Sequence, residues 1–252
     1  MFEECKYEWY LNYLLKDENG KRIYESEQNF YGAYGNFCHE LLQKILNKEI
    51  TIEEAVKIYQ NDFDNEIQCF DVSDSIRDKY FYLGLDYFGT LDFEWLDDYE
   101  ILGIEELCKF KVGEYNFIGY IDLLIREKAT GKIIVVDHKS SEYPLGKRGK
   151  VLKKNEEKYE SYKKQLYVYS KPVFEKYGVY PSEIWWNYFK DQKWLKLPFI
   201  KEEYDASLKW AEDVIEEIKK EEDFIPKLDQ FFYCNNLCNF RNSCDYKLMG
   251  EQ

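Results

Sequence analysis

The first hundred residues carry apolar side chains at helical spacing. In "YGNFCHELLQKIL" these positions recur every four residues, as at Phe37 and Leu41, which is typical of an amphipathic helix. Thr51 and Glu54 have the spacing of a capping box, so a second helix is expected to begin near Thr51. A third helix, rich in aromatic residues, is predicted over residues 75–88. The N-terminal part of the chain is therefore expected to be helical.

The middle of the chain has a different pattern. Residues 101–111, 115–126 and 132–139 are rich in β-branched and aromatic side chains, which predicts three strands. Short turns that contain glycine, "VGE" and "KATG", separate them. Adjacent strands joined by such turns are expected to pair as antiparallel hairpins.

The remaining elements complete an α/β pattern. A helix is predicted from about Asn155 to Ser170, and Pro172 is expected to end or kink it. The segments "SEIWWNYF" and "KWLKLPFI" predict two more strands, and apolar steps of four and three residues predict a last helix from Tyr204 to Ile218. We therefore expect an α/β fold with a mixed central sheet flanked by helices.

Composition limits the class of protein. The chain has 252 residues, enough for one large domain, and it is 45% hydrophobic and 33% charged, as is typical of a soluble globular protein. The start, "MFEECKYEWY", has no apolar h-region, and no run is long enough to cross a bilayer. We expect a cytoplasmic protein with no membrane partner. Its seven cysteines are then reduced thiols or metal ligands rather than disulfides.

The formal net charge of −14 argues against a protein that coats nucleic acid with its whole surface. One segment is basic within this acidic chain, because residues 144–164 hold eight Lys or Arg and three Glu. Its candidate phosphate contacts are Lys147, Arg148, Lys150, Lys153 and Lys154. A solvated loop and helix face explains the segment equally well.

The stretch "IIVVDHKSS", residues 133–141, places charge at the end of an apolar strand. Side chains alternate along a strand, so Asp137 and Lys139 share a face and His138 points the other way. On the preceding strand, Asp122 is expected to share a face with Ile118, Tyr120 and Leu124 and to lie beside Asp137. Two adjacent carboxylates need a compensating cation, for which Mg²⁺ or Mn²⁺ is suited.

An ion pair at a strand end is the simpler explanation of Asp137 and Lys139 taken alone. Gln165 and Tyr169 favour a functional site, because their spacing places both polar groups on one face of the following helix. Lys139 could then orient a water molecule and stabilise charge on a phosphate.

Four motifs occur in order: Gly35-Asn-Phe-Cys-His39, Gly119-Tyr-Ile-Asp122, Asp137-His-Lys139 and Gln165-Leu-Tyr-Val-Tyr169. Together they resemble the RecB-type branch of the PD-(D/E)XK nucleases. The resemblance implies a restriction-endonuclease-like core with an N-terminal helical region. The parts would be residues 1–99, a catalytic core at 100–200 and a C-terminal helix and cysteine cluster at 201–252, all in one nuclease domain.

The same resemblance implies roles for these residues. His39, Asp122, Asp137 and the backbone carbonyl of His138 would hold the metal ion, with His39 favouring Mn²⁺. Lys139 would position the attacking water, and Gln165 and Tyr169 would orient Lys139 or the DNA backbone. Glu105 and Glu106, on the first strand, are left unassigned.

The resemblance further implies a metal-dependent DNA nuclease that leaves 5′-phosphates, most simply an exonuclease acting on single strands or DNA ends. Recombination, replication or CRISPR proteins would be its partners. The alternative is a catalytically silent nuclease-fold module that binds DNA or serves as a scaffold. A zinc-stapled regulator that contacts DNA through the cysteine region is disfavoured by the net charge.

A cysteine cluster follows the last helix as Cys234-x3-Cys238-x5-Cys244, and Cys5 is the strongest candidate for a fourth ligand. This arrangement resembles the iron–sulfur nucleases of the same branch, such as the AddB nuclease domain and CRISPR-adaptation nucleases, which bind a 4Fe-4S cluster. Those relatives usually have two residues between the first and second of the three C-terminal cysteines, whereas this chain has three. Structural Zn²⁺ therefore stays an alternative, but we favour the cluster. Cys38, Cys69 and Cys108 are assigned to packing.

Overall fold

The computed structural model describes residues 1–69, 72–227 and 229–246. The α-helices of the described residues are Lys6–Tyr13 (α1), Phe30–Leu46 (α2), Ile52–Glu66 (α3), Asp74–Gly89 (α4), Glu156–Tyr177 (α5) and Lys201–Lys220 (α6). The strands are Tyr99–Val112 (β1), Tyr115–Glu127 (β2), Ile133–Lys139 (β3), Glu183–Tyr188 (β4) and Lys193–Pro198 (β5). None of the described helices combines the length and the apolar character that crossing a membrane requires.

The five strands form one mixed sheet in the order β1-β2-β3-β4-β5. The pairs β1–β2 and β2–β3 are antiparallel, as the short turns predict, and β4–β5 is antiparallel as well. Strands β3 and β4 are parallel, and α5 lies in the crossover that joins them. The predicted α/β fold with a mixed sheet and an N-terminal helical region is confirmed.

Strand β3 is apolar without alternation because both of its faces are covered. Val135 packs in a cluster with Leu166 of α5, on the face that α5 and α6 cover. Val136 packs in a second cluster with Leu46 of α2, on the opposite face. This two-sided burial fixes the strand whose end carries Asp137 and Lys139.

Helix α5 is longer than predicted. It continues through Pro172 to Tyr177 and ends at Gly178, whose φ of 73° is the left-handed conformation of a helix cap. Val173, directly after the proline, is 2% exposed in the cluster under α5. The expectation that Pro172 ends the helix is wrong. Packing of the last turns outweighs the backbone hydrogen bond that the proline cannot donate.

Helix α2 begins at a cap that joins distant parts of the chain. The Asn29 side chain accepts a hydrogen bond from the Gly32 N–H at 2.9 Å. Its Nδ2 donates to the carbonyl of Leu237 at 2.8 Å, across 208 residues. The first turn of α2 is therefore tied to the segment that holds the C-terminal cysteines.

The ladder between β1 and β2 is irregular at two places, a register shift between Ile101 and Gly103 and a gap in the pairing at Glu105. Ile104 pairs with Leu123 and Glu106 pairs with Ile121, but the intervening position, Glu105, is not in the register pairing. Glu105 has a φ of 47°, which a residue with a side chain rarely adopts. The interruption lies opposite Asp122, so two carboxylates occupy the irregular point of the sheet.

Side-chain alternation fails at the same place on β2. Ile121 and Leu124 both pack in the cluster under α5, whereas Leu123 packs on the opposite face. Ile118 and Tyr120 are exposed. The expectation that Leu124 shares a face with Ile118 and Tyr120 is therefore wrong, because the distorted backbone reverses the faces there.

Candidate active site

A cavity of about 520 Å³ opens between α2, α5, the middle of β1 and β2 and the end of β3. Carboxylates, an imidazole and an ammonium group all line it. Their residues include His39, Glu40, Glu105, Asp122, Asp137, Lys139, Tyr162 and Gln165. The structure thus brings most of the predicted site residues to one place.

Glycines let the elements around this cavity approach closely. A Cβ on Gly35 of α2 would lie 2.9 Å from the Ser140 Oγ, directly after β3. A Cβ on Gly119 of β2 would lie 2.7 Å from the hydroxyl oxygen of Tyr169 on α5. The glycines that begin the first two motifs therefore have a steric reason to be there.

His39, Glu105 and Asp122 form a group whose ligand atoms all lie within 4.8 Å of one another. The His39 Nδ1 is 3.6 Å from the Asp122 Oδ2. Burial and the nearby Asp122 raise the pKa of the Glu105 carboxyl above its usual range. One imidazole and two carboxylates suit a divalent ion such as Mn²⁺ or Mg²⁺.

Asp137 and Lys139 form a buried ion pair beside that group. The Lys139 Nζ lies 2.8 Å from the Asp137 Oδ2 and 3.2 Å from the Gln165 Oε1. Burial raises the pKa of Asp137 to about 6, although Lys139 opposes this shift, and Asp122 adds to it. Burial disfavours the charge on Lys139, but the attraction of Asp137 holds its pKa above the usual value. The lysine therefore stays cationic next to a carboxylate that is costly to ionise.

The ring of Tyr162 forms another wall around the ammonium group. The Lys139 Nζ lies 4.1 Å from the ring centroid, in the range of a cation–π contact. Tyr162 precedes Gln165 by three residues on α5, so both contact Lys139 from one helical face. Sequence reasoning did not identify Tyr162, because tyrosine occurs throughout this aromatic chain.

Tyr169 does not line the cavity, but it contacts Gln165, which does. The Gln165 Nε2 donates to the Tyr169 hydroxyl at 3.4 Å, and the Tyr169 ring lies against Gly119. Burial raises the pKa of Tyr169. Gln165 thus links Tyr169 to Lys139, and the second, third and fourth motifs meet through direct contacts.

His138 points away from Asp137, as the strand pattern predicts. Its ring is 4% exposed and contacts the Asn187 Nδ2 at 3.1 Å through Nδ1. Burial lowers the pKa of this imidazole to about 3, so the ring is neutral. The His138 backbone N–H donates to the Asp122 Oδ2 at 2.7 Å and orients that carboxylate.

The predicted phosphate contacts lie in the segment after β3. Lys147, Arg148, Lys150, Lys153 and Lys154 are all exposed. They do not line the cavity, and Lys154 forms an ion pair with Glu142 at 2.6 Å. The segment follows directly from the strand end that carries Lys139.

Cys5, Cys234, Cys238 and Cys244 line one small cavity of about 20 Å³. Among the described residues, no three of their sulfur atoms lie within 4.8 Å of one another. A zinc ion with Zn–S bonds of about 2.3 Å would require sulfur separations of about 3.8 Å, so a compact zinc tetrahedron is not preformed. Burial raises the pKa of both Cys5 and Cys238.

Glu105 is the residue of this site that sequence reasoning left unassigned. Its neighbour Glu106 forms an ion pair with Lys176 on α5 instead. The two adjacent glutamates have identical chemistry, and only the backbone distortion at Glu105 separates their roles. No sequence pattern signalled that distortion.

A family model supports the class that this geometry suggests. A family model of the PD-(D/E)XK nuclease superfamily matches residues 1–245. The chain therefore belongs to the PD-(D/E)XK nuclease superfamily, whose members are phosphodiester hydrolases that typically use divalent metals. A solved structure described as the crystal structure of SSO0001 is 19% identical, covers 96% of this chain and 93% of its own, and has a TM-score of 0.36. None of the curated proteins matches the chain.

Proposed function

We propose that this chain is a divalent-metal-dependent deoxyribonuclease of the RecB-type branch that cleaves single strands or DNA ends. The observation that carries the proposal is the convergence of His39, Glu105 and Asp122 with the Asp137–Lys139 pair in one open cavity. An ion-pair explanation of Asp137 and Lys139 does not account for the three further ligand groups beside them.

His39, Glu105, Asp122 and Asp137 would hold the metal ion, and the His138 carbonyl is a further proposed ligand. When bound, the ion polarises the phosphate and makes a water molecule more acidic. Metal binding also offsets the repulsion among carboxylates that the cavity otherwise places together.

Lys139 supplies a fixed positive charge at the reacting phosphate. Asp137, Gln165 and Tyr162 surround its ammonium group, so Lys139 can orient the attacking water and stabilise negative charge on a phosphate oxygen. Tyr169 acts through Gln165 and is a positioning residue. In the hydrolysis, a water oxygen bonds to phosphorus and the 3′ oxygen leaves, which gives a 5′-phosphate.

The exposed basic segment would contact phosphates as DNA enters. Lys147, Arg148 and Lys150 have no carboxylate within 4 Å among the described residues. These cations lie in a chain of net charge −14, where unpaired positive groups in the segment that follows β3 favour an anionic polymer.

A nuclease assay tests the proposal. Purified protein with Mg²⁺ or Mn²⁺ should cleave end-labelled DNA, and Asp137→Ala should lose activity by at least about a hundredfold. Asp78→Ala, which changes an exposed carboxylate on α4, is the matched control. An RNA substrate of the same sequence tests the preference for DNA.

Equal activity of the wild type and Asp137→Ala would refute the assigned site. Absence of cleavage in both, with DNA binding retained, would favour the silent nuclease-fold module instead. Faster cleavage of circular than of linear single strands would contradict action at ends.

We also propose that Cys5, Cys234, Cys238 and Cys244 bind a structural 4Fe-4S cluster. Four thiols around one cavity are a suitable donor set, and one cysteine before the core with three after it resembles the arrangement of the iron–sulfur nucleases. Protein purified without oxygen should contain iron and sulfide and absorb visible light, and Cys234→Ser should lose both. Cys69→Ser is the control, and a colourless sample with one zinc per chain would refute the cluster.

A further inference from the structure

The end of the β1–β2 hairpin presents an unusual exposed face. We call it the hairpin face, and it consists of Leu107, Lys109, Lys111, Asn116, Ile118 and Tyr120, all exposed. The cross-strand pairs are Leu107 with Tyr120, Lys109 with Ile118 and Lys111 with Asn116. Each pair points to the same side, so the face is a continuous ribbon of three rungs.

The opposite side of the same ribbon is buried. Cys108, Phe110 and Val112 pack in the cluster under α5 and α6. Strand β3 pairs with β2 only from Leu123 to Arg126, so it does not extend along this part of the hairpin. The hairpin is therefore held firmly on one side while its other side faces solvent.

Three apolar side chains on the hairpin face are strongly exposed to solvent. Ile118 is 66% exposed, Tyr120 is 53% exposed and Leu107 is 46% exposed. Single exposed apolar residues are ordinary, but a contiguous group next to a cavity usually marks a binding surface.

The charge of the face identifies its ligand class. Within the described part of the chain, neither Lys109 nor Lys111 has a carboxylate within 4 Å, although Lys176 and Lys219 nearby are both paired. Unpaired cations alternating with an open aromatic ring form the combination that binds single strands, by phosphate contacts and base stacking. A net charge of −14 disfavours a second copy of the same chain as the occupant.

The hairpin face also leads directly to the proposed metal group. Tyr120 precedes Asp122 by two residues, and Leu107 follows Glu105 by two, so the backbone of the first rung lies about 7 Å along the strands from these two residues. The ribbon therefore begins next to the residues that carry the carboxylates of the cavity.

We propose that the hairpin face is a binding track for about three nucleotides of single-stranded DNA flanking the bond that is cut. Tyr120 stacks on a base, and Lys109 and Lys111 contact phosphates. This inference rests on the proposed function, because it names where the substrate of that site lies.

Binding measured without catalysis tests the track. A fluorescent 12-nucleotide oligothymidylate in EDTA serves as the probe, and its anisotropy gives Kd. Tyr120→Thr removes the ring while keeping strand propensity, and it should raise Kd about tenfold. Replacing Lys109 and Lys111 together by Gln should reduce the slope of log K against log salt by about 1.4, or about 0.7 for each phosphate contact.

Matched controls separate the track from general effects. Tyr82→Ala changes a tyrosine on α4 that is 66% exposed, and Lys57→Gln with Lys79→Gln removes two exposed lysines elsewhere. These variants should leave Kd within about twofold of the wild type. In nuclease assays Tyr120→Thr should raise KM and preserve kcat, and hydrolysis of bis(4-nitrophenyl) phosphate should be unchanged because that diester is too small to reach the ribbon.

The outcomes distinguish the track from the proposed function. If the wild type cleaves neither DNA nor the small diester, the proposed function fails, while the binding experiment still decides the track. Unchanged Kd in the hairpin variants, or no oligonucleotide binding by the wild type, overturns the track. If the hairpin variants keep the Kd of the wild type but change its molar mass in light scattering, the hairpin face is a self-association surface, and the binding track is overturned as well.

Discussion

Asp137→Asn should stabilise the metal-free protein at neutral pH while removing its activity. Asparagine is close in shape to a protonated aspartate and carries no charge. The pKa of Asp137 is raised to about 6 from an ordinary value of 3.8, mainly by burial, so its ionisation in the folded protein is costly. The variant removes that cost permanently.

The magnitude follows from the shift in pKa. A change of about two units corresponds to about 3 kcal/mol at 1.36 kcal/mol per unit. Because the folded pKa lies above the unfolded one, the contribution of Asp137 to stability is complete below pH 3.8 and is lost as the pH rises through about 6. The difference in free energy of unfolding between Asp137→Asn and wild type should therefore grow by about 2 kcal/mol from pH 4 to pH 7, because part of the shift already acts at pH 4.

Urea denaturation in EDTA at several pH values measures this difference. Groups that do not interact with Asp137 titrate in the same way in both proteins and cancel, and Asp78→Asn on the surface of α4 is the control that should show no such growth. Adding Mn²⁺ should stabilise the wild type, by about 2.7 kcal/mol at a hundred times Kd, and should leave Asp137→Asn almost unchanged. A difference that does not vary with pH, or a variant that is less stable than wild type at pH 7, would refute the electrostatic reasoning.

Three further substitutions test individual contacts. Tyr162→Leu should lower kcat about 2- to 30-fold, because the cation–π contact with Lys139 is lost. Tyr162→Phe keeps the ring and should keep kcat within about twofold. Equal losses of kcat in the two variants would exclude a role for that contact. Gly119→Ala should cost about 1–3 kcal/mol in urea denaturation, because its Cβ overlaps Tyr169, and adding Tyr169→Leu should recover most of the loss. Glu105→Gln should weaken Mn²⁺ binding at least about tenfold in titration calorimetry, and Glu106→Gln should not; similar affinities would remove Glu105 from the metal group.

Periodicity and motif order predict much of this fold. Strand β3 is buried on both faces, which is why its apolar run is easy to recognise, and tight turns fix the two antiparallel pairings. The spacing of Gln165 and Tyr169 places both on one side of α5, and they lie in contact with each other there. Features set by local geometry along the chain were therefore predictable.

Features set by irregular backbone or by tertiary packing were not. The left-handed φ of Glu105 moves one of two identical neighbours into the cavity, and the same irregularity disturbs the alternation that placed Leu124 on the face of Ile118 and Tyr120. Pro172 lies inside a helix whose last turns are held by the sheet. Tyr162 is one of 24 tyrosines, and only the fold singles it out.

The cap of α2 has a consequence for the order in which the protein folds. The helix that carries His39 starts at Asn29, whose side chain bonds a carbonyl 208 residues later. Closing so long a loop is slow and entropically costly, so we expect this contact to form after the sheet is in place. During synthesis the carboxylates of β2 and β3 would then be assembled before the first turn of α2 is secured, and the site would reach its final shape only as the last tenth of the chain docks.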